Sequence, residues 1–454
     1  MTKRSVPTLR LLALACMGLV PALASAQSLL ELYNAARQYD ASYLASVAEA
    51  KSAEFKAKQA DALRLPRVGL AANVTRSYLD TPKSSSPLLA SIPSLAGGSQ
   101  SNTQAQIALE ARQTLYNQAD WATLSQAEKS LAVAQADLAV AEQDLIVRVA
   151  QAYFDVLSAQ DALSAAQANG KAITEQLAAA KRNFEVGNVT VTDVREAQAR
   201  SDAATAQEIA ANNDLQTKRA ALDVLVGRTG VDPKPLQGGA VLPTLLPTGV
   251  NDWVTMADNS PNIRKAQLGL EIARDETRKA RAGHLPTVEL VGTVARTHNS
   301  ETTSSSGNRG NVDSASLGVE AKMSLFAGFS TQNRIKETLA LEEKSERDVD
   351  AARRGVQLGT RQAYLGVQSG LALVKANEAA EASYKLAVEA TQLGYRVGVR
   401  VNIDVLNAQR DLYNSQRDLA KSRHDVLVAG LKLRQAAGTL VASDLEPVDR
   451  LLAK

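Results

Sequence analysis

Two kinds of hydrophobic period run along this chain, and each appears twice. From 104 to 115, Ala105, Ile107, Leu109, Ala111 and Leu115 alternate with Gln104, Gln106, Glu110, Arg112 and Thr114. From 314 to 325, Ala315, Leu317, Val319, Ala321, Met323 and Leu325 alternate with Ser316, Gly318, Glu320, Lys322 and Ser324. A period of two with one apolar and one charged face predicts strands of the kind that line a membrane barrel. Each has an upstream partner, RVGLAANVTRSYL after Pro66 and TVELVGTVARTH after Pro286. The predicted strands are 67–79, 103–116, 287–298 and 314–326. The connections Asp80 to Asn102 and Asn299 to Asp313 are rich in Ser, Gly, Pro and Asn and read as loops.

Elsewhere the period is helical. Residues 28 to 64 and Asn251 to Ala282 each read as one helix, and long helices begin near Gln118 and Ser330. Leu124, Leu131, Leu138 and Leu145 recur every seventh position, as do Val405, Leu412, Leu419, Val426, Leu433 and Leu440. At about 50 residues per arm and 1.5 Å each, the arms extend roughly 75 Å. Each long region is interrupted by a copy of one stretch, FEVGNVTVTDVREAQ at 184–198 and YRVGVRVNIDVLNAQ at 395–409, so that Asp404 lies 211 positions after Asp193. Gly187 and Gly398 suit the left-handed residue that closes a helix. Thr190 and Asp193 have the spacing of a capping box. The chain therefore reads as two helical hairpins with turns at 186–190 and 397–401.

The organisation is a duplication: 27–230, then a linker at 231–250 where every period breaks, then 251–438 and a short irregular tail at 439–454. Residues 1–26 read as a secretory leader, with Lys3, Arg4 and Arg10, an apolar run Leu11 to Val20, and Ala24-Ser25-Ala26 before a cut near Gln27. Taking its three basic residues from the 51 leaves 48 Lys and Arg against 48 Asp and Glu, so the mature chain is neutral and no nucleic-acid partner is expected. The single cysteine, Cys16, leaves with the leader and is not read as a lipidation site. His284, His298 and His424 have no metal spacing, Gly170-Lys171 lacks the rest of a phosphate loop, and no catalytic set appears. An enzyme, a metal or a cofactor is not expected.

Four strands supply too little sheet for a sandwich core. They also cannot close alone, and open edges are not tolerated in lipid. Two chains would give a filled eight-stranded barrel, three a pore. A periplasmic coiled-coil spacer or adaptor without a pore accounts for the heptads but leaves the strands unexplained.

The opening LLELYNAARQYDASYLAS, the LRLP-then-strand unit, SLFAGF and the two VG…DV tips resemble the TolC-type outer membrane channel proteins over nearly the whole mature chain. The resemblance implies a fold that is mainly α with membrane β. Four transmembrane strands per chain would enter a homotrimeric 12-stranded barrel, continued by a periplasmic α-helical barrel with an equatorial belt of linker and termini. It implies residence in the outer membrane of a Gram-negative cell, in contact with its lipid. The implied role is a passive exit duct for multidrug efflux or type I protein secretion. Its partners would be a periplasmic adaptor (a membrane fusion protein) and an inner-membrane pump of RND, ABC or MFS type. By the same resemblance Asp404 faces the lumen as a gate acid, and Asp193, Tyr395 and Arg400 link neighbouring hairpins. Asn407 stands where some members carry a second acid, which puts a two-ring gate in doubt. The adaptor is expected on Val186, Gly187, Asn188, Val189 and Thr190 and on Val397, Gly398, Val399 and Val401. The residues themselves leave a plainer role open, since Asp193 and Asp404 both sit in a helix's first turn, where an acid complements the dipole.

Overall fold

The computed structural model describes residues 27–82, 98–187, 189–237, 241–243, 246–300 and 310–453. The expected leader at 1–26 lies outside them. Helices α1 (Leu29–Tyr39) and α2 (Ala41–Asp61) lead to strands β1 (Arg67–Thr81) and β2 (Gly98–Tyr116), then to α3 (Gln118–Glu185) and α4 (Val191–Val226). The order repeats with α5 (Val250–Ala257), α6 (Pro261–Ala282), β3 (Thr287–Asn299), β4 (Gly310–Lys322), α7 (Ser330–Arg396) and α8 (Asn402–Ala436), and α9 (Glu446–Asp449) ends the chain. The four strands form one antiparallel sheet in sequence order.

Several boundaries differ from the sequence reading, each for a physical reason. Both helices expected before the strands are broken. Asp40 caps α2 by accepting the Tyr43 N–H at 2.7 Å, and Ser260 caps α6 with Pro261 in its first turn. The arms are unequal: α3 has 68 residues and α4 has 36, so α3 alone extends about 100 Å. The shorter arm is completed end to end by a helix from before the strands. Gly227, left-handed at φ 68°, closes α4 against the ring of Tyr39 at the end of α1. In the second repeat Gly438, at φ 71°, closes α8 against Ser260 and Pro261 at the start of α6. The strands reach further outward than expected, with 98–102 and 310–313 paired. At the other end β4 stops at Lys322 rather than 326, because its partner β3 begins at Thr287, opposite Lys322.

One sheet face carries Val68, Leu70 and Val74 of β1 and Leu317 and Val319 of β4, all exposed. The other carries a charge cluster next to the helices: Arg112 reaches Glu110, Glu289 (3.4 Å) and Glu320 (3.7 Å) from three strands. Among the described residues no helix is long and apolar enough to cross a membrane.

The main core lies halfway along α3. Leu145, Tyr153 and Phe154 meet Leu32 and Tyr33 of α1, Leu222 of α4 and Leu440 and Leu445 of the tail. The tail is thus not irregular, since it holds a helical turn at Ala442–Leu445 and then α9. The linker is bonded to both ends of the described residues, Gln27 N–H to Asp232 O at 2.9 Å and Ala453 N–H to Pro235 O at 2.8 Å. Arg148 of α3 forks onto Asp40 at 2.9 and 3.0 Å, fixing the α1–α2 break; this pairing holds the Asp40 carboxyl below its ordinary pKa. Lys129 of α3, at 2.8 Å, and Arg278 neutralise Asp275 of α6, which is wholly buried.

His424 of α8 is buried against Phe154, with Ser158 Oγ 2.9 Å from its Nδ1. Asp161 lies 3.8 Å away on α3, and Arg423 and Asp425 flank it on its own helix. Burial pushes its pKa down to about 4 from 6.5. The unfolded chain therefore binds a proton below pH 6.5 that the folded chain refuses until about pH 4, and stability falls as pH drops through that window. The full loss is about 3 kcal/mol per chain. His424→Gln should remove most of this slope between pH 6.5 and 4.5, read as the thermal midpoint of the folded protein at each pH. An unchanged slope refutes the assignment.

Candidate functional site

The hairpin turns lie at the ends of α3 and α7 remote from the sheet. In each, a glycine at φ 80° ends the long arm, Gly187 after Val186 and Gly398 after Val397. Gly187 N–H donates to Phe184 O (2.9 Å) and Gly398 N–H to Tyr395 O (3.1 Å), while Val399 and Arg400 both return to Gly394 O. A Cβ built on either glycine meets nothing within 4 Å. Around them Val186 (69%), Val397 (65%) and Val399 (76%) stand in solvent.

The return arms start differently. Thr190 and Asp193 form a reciprocal box, Thr190 N–H to Asp193 Oδ2 at 2.9 Å and Asp193 N–H to Thr190 Oγ1 at 3.3 Å. Val401 offers α8 no side-chain cap, and Asp404 sits in the first turn instead, 3.5 Å from Arg400. Both acids thus sit in a helix's first turn within one chain, where a negative charge complements the dipole.

The two turns border one cleft of about 790 Å³. Val189, Thr190 and Asp193 line it from the first hairpin, and Tyr395, Val397, Gly398, Arg400 and Val401 from the second. Asp404 and Asn407 lie off this cleft, Asp404 facing Arg400 and Asn407 accepting from Arg200 at 3.4 Å. Asn188 lies outside the described residues.

The groups that hold the hairpins together here escaped the sequence reading. Asn183 donates to the Tyr395 hydroxyl at 3.4 Å, and Gln176 donates to Asn402. Leu406 of α8 is buried among Ile173, Leu177, Ala180, Ala197 and Ala204 of the first hairpin. The signal for Leu406 was present, as a leucine beside a row of alanines on the facing arms. The amides carried none, since an Asn or Gln on a helix reads as solvated. Nothing in the cleft resembles a catalytic set, and among the described residues no cluster could hold a metal ion.

Comparison with known proteins matches these elements to a known group. The model of the family described as "Outer membrane efflux protein" matches residues 32–228 and 254–439, one segment per repeat. The outer membrane protein TolC of Vibrio cholerae is 31% identical over 439 residues, covering 96% of both chains. The alkaline protease secretion protein AprF of Pseudomonas aeruginosa is 33% identical over 307 residues, 67% of this chain and 63% of its own. The crystal structure of the outer membrane protein VceC of Vibrio cholerae superposes with a TM-score of 0.74 at 20% identity, covering 90% of this chain and 96% of that one. Twofold long-armed hairpins, four antiparallel strands and both matched repeats place this chain in the outer membrane efflux protein family.

Proposed function

We propose that this protein is the outer membrane exit duct of a tripartite export system, serving efflux, type I secretion or both. The observation that carries this reading is the joining, in one chain, of an open-edged amphipathic sheet to helical hairpins about 100 Å long. The sheet's apolar face suits lipid, and its two free edges call for further copies. Three chains give 12 strands and a pore. On this reading 27–230 and 251–438 each supply two strands and one hairpin, and 231–250 with the termini forms a belt. A passive duct takes what a pump delivers, through a periplasmic adaptor at the hairpin turns. The names of the relatives, an efflux family and a protease secretion protein, support both kinds of cargo.

The entrance is assigned to the cleft residues together with Asp404 and Asn407, which lie beside the cleft. Three Asp404 carboxylates around an axis repel, so a closed entrance needs tethers from Arg400 and Tyr395 toward Asp193 of the neighbouring hairpin. The Arg400 side chain is 60% exposed, which sets each tether at about 0.2–1 kcal/mol. Three copies give roughly 1–3 kcal/mol, below the ~5.5 kcal/mol of a complete switch. Arg400→Ala with Tyr395→Phe should therefore raise single-channel conductance in planar bilayers partly rather than fully. Asp404→Ala should lower cation selectivity and block by multivalent cations, with no reserve acid at Asn407. Conductance equal to wild type in the double variant removes the tethers, and undiminished cation block removes the gate acid.

A further inference from the structure

The apolar face of the sheet ends in the same way in both repeats. On β1 four alternate apolar or small residues, Val68 to Val74, are followed by Arg76. On β3, Val288 to Val294 are likewise followed by Arg296. The ladder puts both arginines on that face, because Leu70 lies across Leu109 from Val294, and Ala72 across Ile107 from Arg296. Arg76 stands opposite Thr103, and Arg296 opposite Asp313. In the same part of the sheet the other face is polar but uncharged, with Asn73, Thr75, Gln104, Gln106 and Thr297. Both arginines at the outer end of the sheet are therefore on the side read as facing lipid.

Height accounts for their placement. Strands of a membrane barrel tilt by about 35–45°, so one depth in the membrane crosses successive strands at shifting rungs. With strands ~4.8 Å apart and ~3.4 Å per residue, the shift is roughly one residue per strand. The apolar band is displaced in that sense, since Val68 lies across the ladder from Gly292 and not from Val288. Arg76 is four residues beyond Ala72, the residue on the rung of Arg296 and Asp313, and two to three strands away from them. The tilt thus brings all three to about one depth. That depth is eight residues beyond Val68, or roughly 21 Å, close to the ~25 Å of a barrel's apolar band. A lipid-facing arginine is costly at the bilayer centre and tolerated at its edge. The two arginines mark the outer headgroup layer.

Beside them the face is hollowed. A depression of about 390 Å³ has Ala72, Ala105 and Ile107 along its floor and Arg296, His298 and Asn311 on its outer side. Arg296 is forked through Nε and Nη2 onto Asp313 at 2.6 and 2.7 Å, which fixes its plane and leaves the Nη1 donors for another group. His298 is held by Asn311, with Nδ1 2.9 Å from Oδ1. Asp80, the other acid on this part of the face, lies four residues beyond Arg76 and clear of the depression. We infer that this corner binds a lipid of the outer leaflet whose headgroup carries more than one phosphate. An acyl chain lies in the alanine-floored slot, and Arg296 and Arg76 each take a phosphate, as the guanidinium fork is shaped to do. The Cα atoms of the two arginines are roughly 17 Å apart, a span that suits a broad headgroup and exceeds what a single phosphate bridges.

This inference rests on the apolar face lying in lipid, and the two fail separately. The full-length protein in mild detergent should retain purified lipopolysaccharide in native mass spectra. Its dephosphorylated form, and phosphatidylglycerol with one phosphate, should bind about tenfold more weakly. Arg76→Gln with Arg296→Gln and Asp313→Asn removes both cations and leaves no unpaired acid, and should weaken lipopolysaccharide binding about tenfold. Ala105→Leu fills the slot with both arginines in place and should weaken it several-fold, whereas Arg67→Gln at the inner end of the sheet should change nothing. Undiminished binding in the charge variant, or equal retention of either comparison lipid, overturns the phosphate site. Undiminished binding in Ala105→Leu overturns the slot. The lipid-facing reading is checked in outer membranes, where Leu70→Cys should react at least tenfold more slowly than Asn73→Cys with a water-soluble maleimide. Equal rates there overturn that reading itself.

Discussion

Gly438→Ala should weaken the folded protein by about 2–5 kcal/mol. Gly438 closes α8 at φ 71°, where a side chain costs roughly 1–2 kcal/mol. The added Cβ would also lie 2.5 Å from Ser260 Cα and 2.8 Å from Pro261 Cδ. That neighbour is backbone, in a residue 1% exposed whose hydroxyl caps α6 through the Ile263 N–H, so it cannot swing aside. Gly227 has the same conformation but meets a side chain, that of Tyr39, whose Cγ would lie 2.3 Å from the added Cβ and whose ring, 58% exposed, must rotate as a whole to make room. Gly227→Ala should accordingly cost the strain plus the displacement of that ring, about 1.5–3.5 kcal/mol and less than Gly438→Ala. Thermal midpoints of the assembled protein for both variants test the contrast. Equal losses at the two sites would show that conformation alone matters and that the contact with Ser260 does not.

The second large effect concerns export rather than stability. Gly187→Trp combined with Gly398→Trp should abolish export while leaving assembly intact. Both glycines have φ 80° and open space where a Cβ would point, so bulk added there meets solvent, or an adaptor that needs the same surface. Gly187→Ala with Gly398→Ala carries the same backbone strain without the bulk, and should keep most export. Export lost in the alanine pair would assign the effect to turn geometry. Export surviving in the tryptophan pair would move the adaptor off the tips.

Much of this architecture was legible because period reports burial. The alternation around Leu109 and Val319 marked strands, and Gly187 with the Thr190–Asp193 box marked a turn that the structure forms as read. Two of the misreadings come from contacts made, or missing, at a distance in sequence. Residues 323–326 alternate like a strand yet have no partner in their own chain. The Ala-rich stretch around Asp40 reads as unbroken helix, although the fork from Arg148 holds a break there. Pro261 was the available warning for the second break, since proline belongs in a helix's first turn. At the hairpin turns it was the family resemblance, not the period, that singled out Asp193, Tyr395 and Arg400. The period could not reveal that Asn183 and Gln176 bridge the hairpins, because nothing in a helical pattern separates a bridging amide from a hydrated one.

The glycine closures at Gly227 and Gly438 make each hairpin a lever with unlike limbs. The long limb is one continuous hydrogen-bonded rod, which carries torque along its length. The short limb is two rods butted at a joint where no helical ladder crosses, so it bears compression but lets one rod spin against the other. Both joints sit beside the main core, at the level where linker and termini gather. Below that level a return arm can rewind against its long partner without twisting the helix that leads to the sheet. Torsion applied at the tips is thus dissipated at mid-height, and the wall embedded in lipid is spared it.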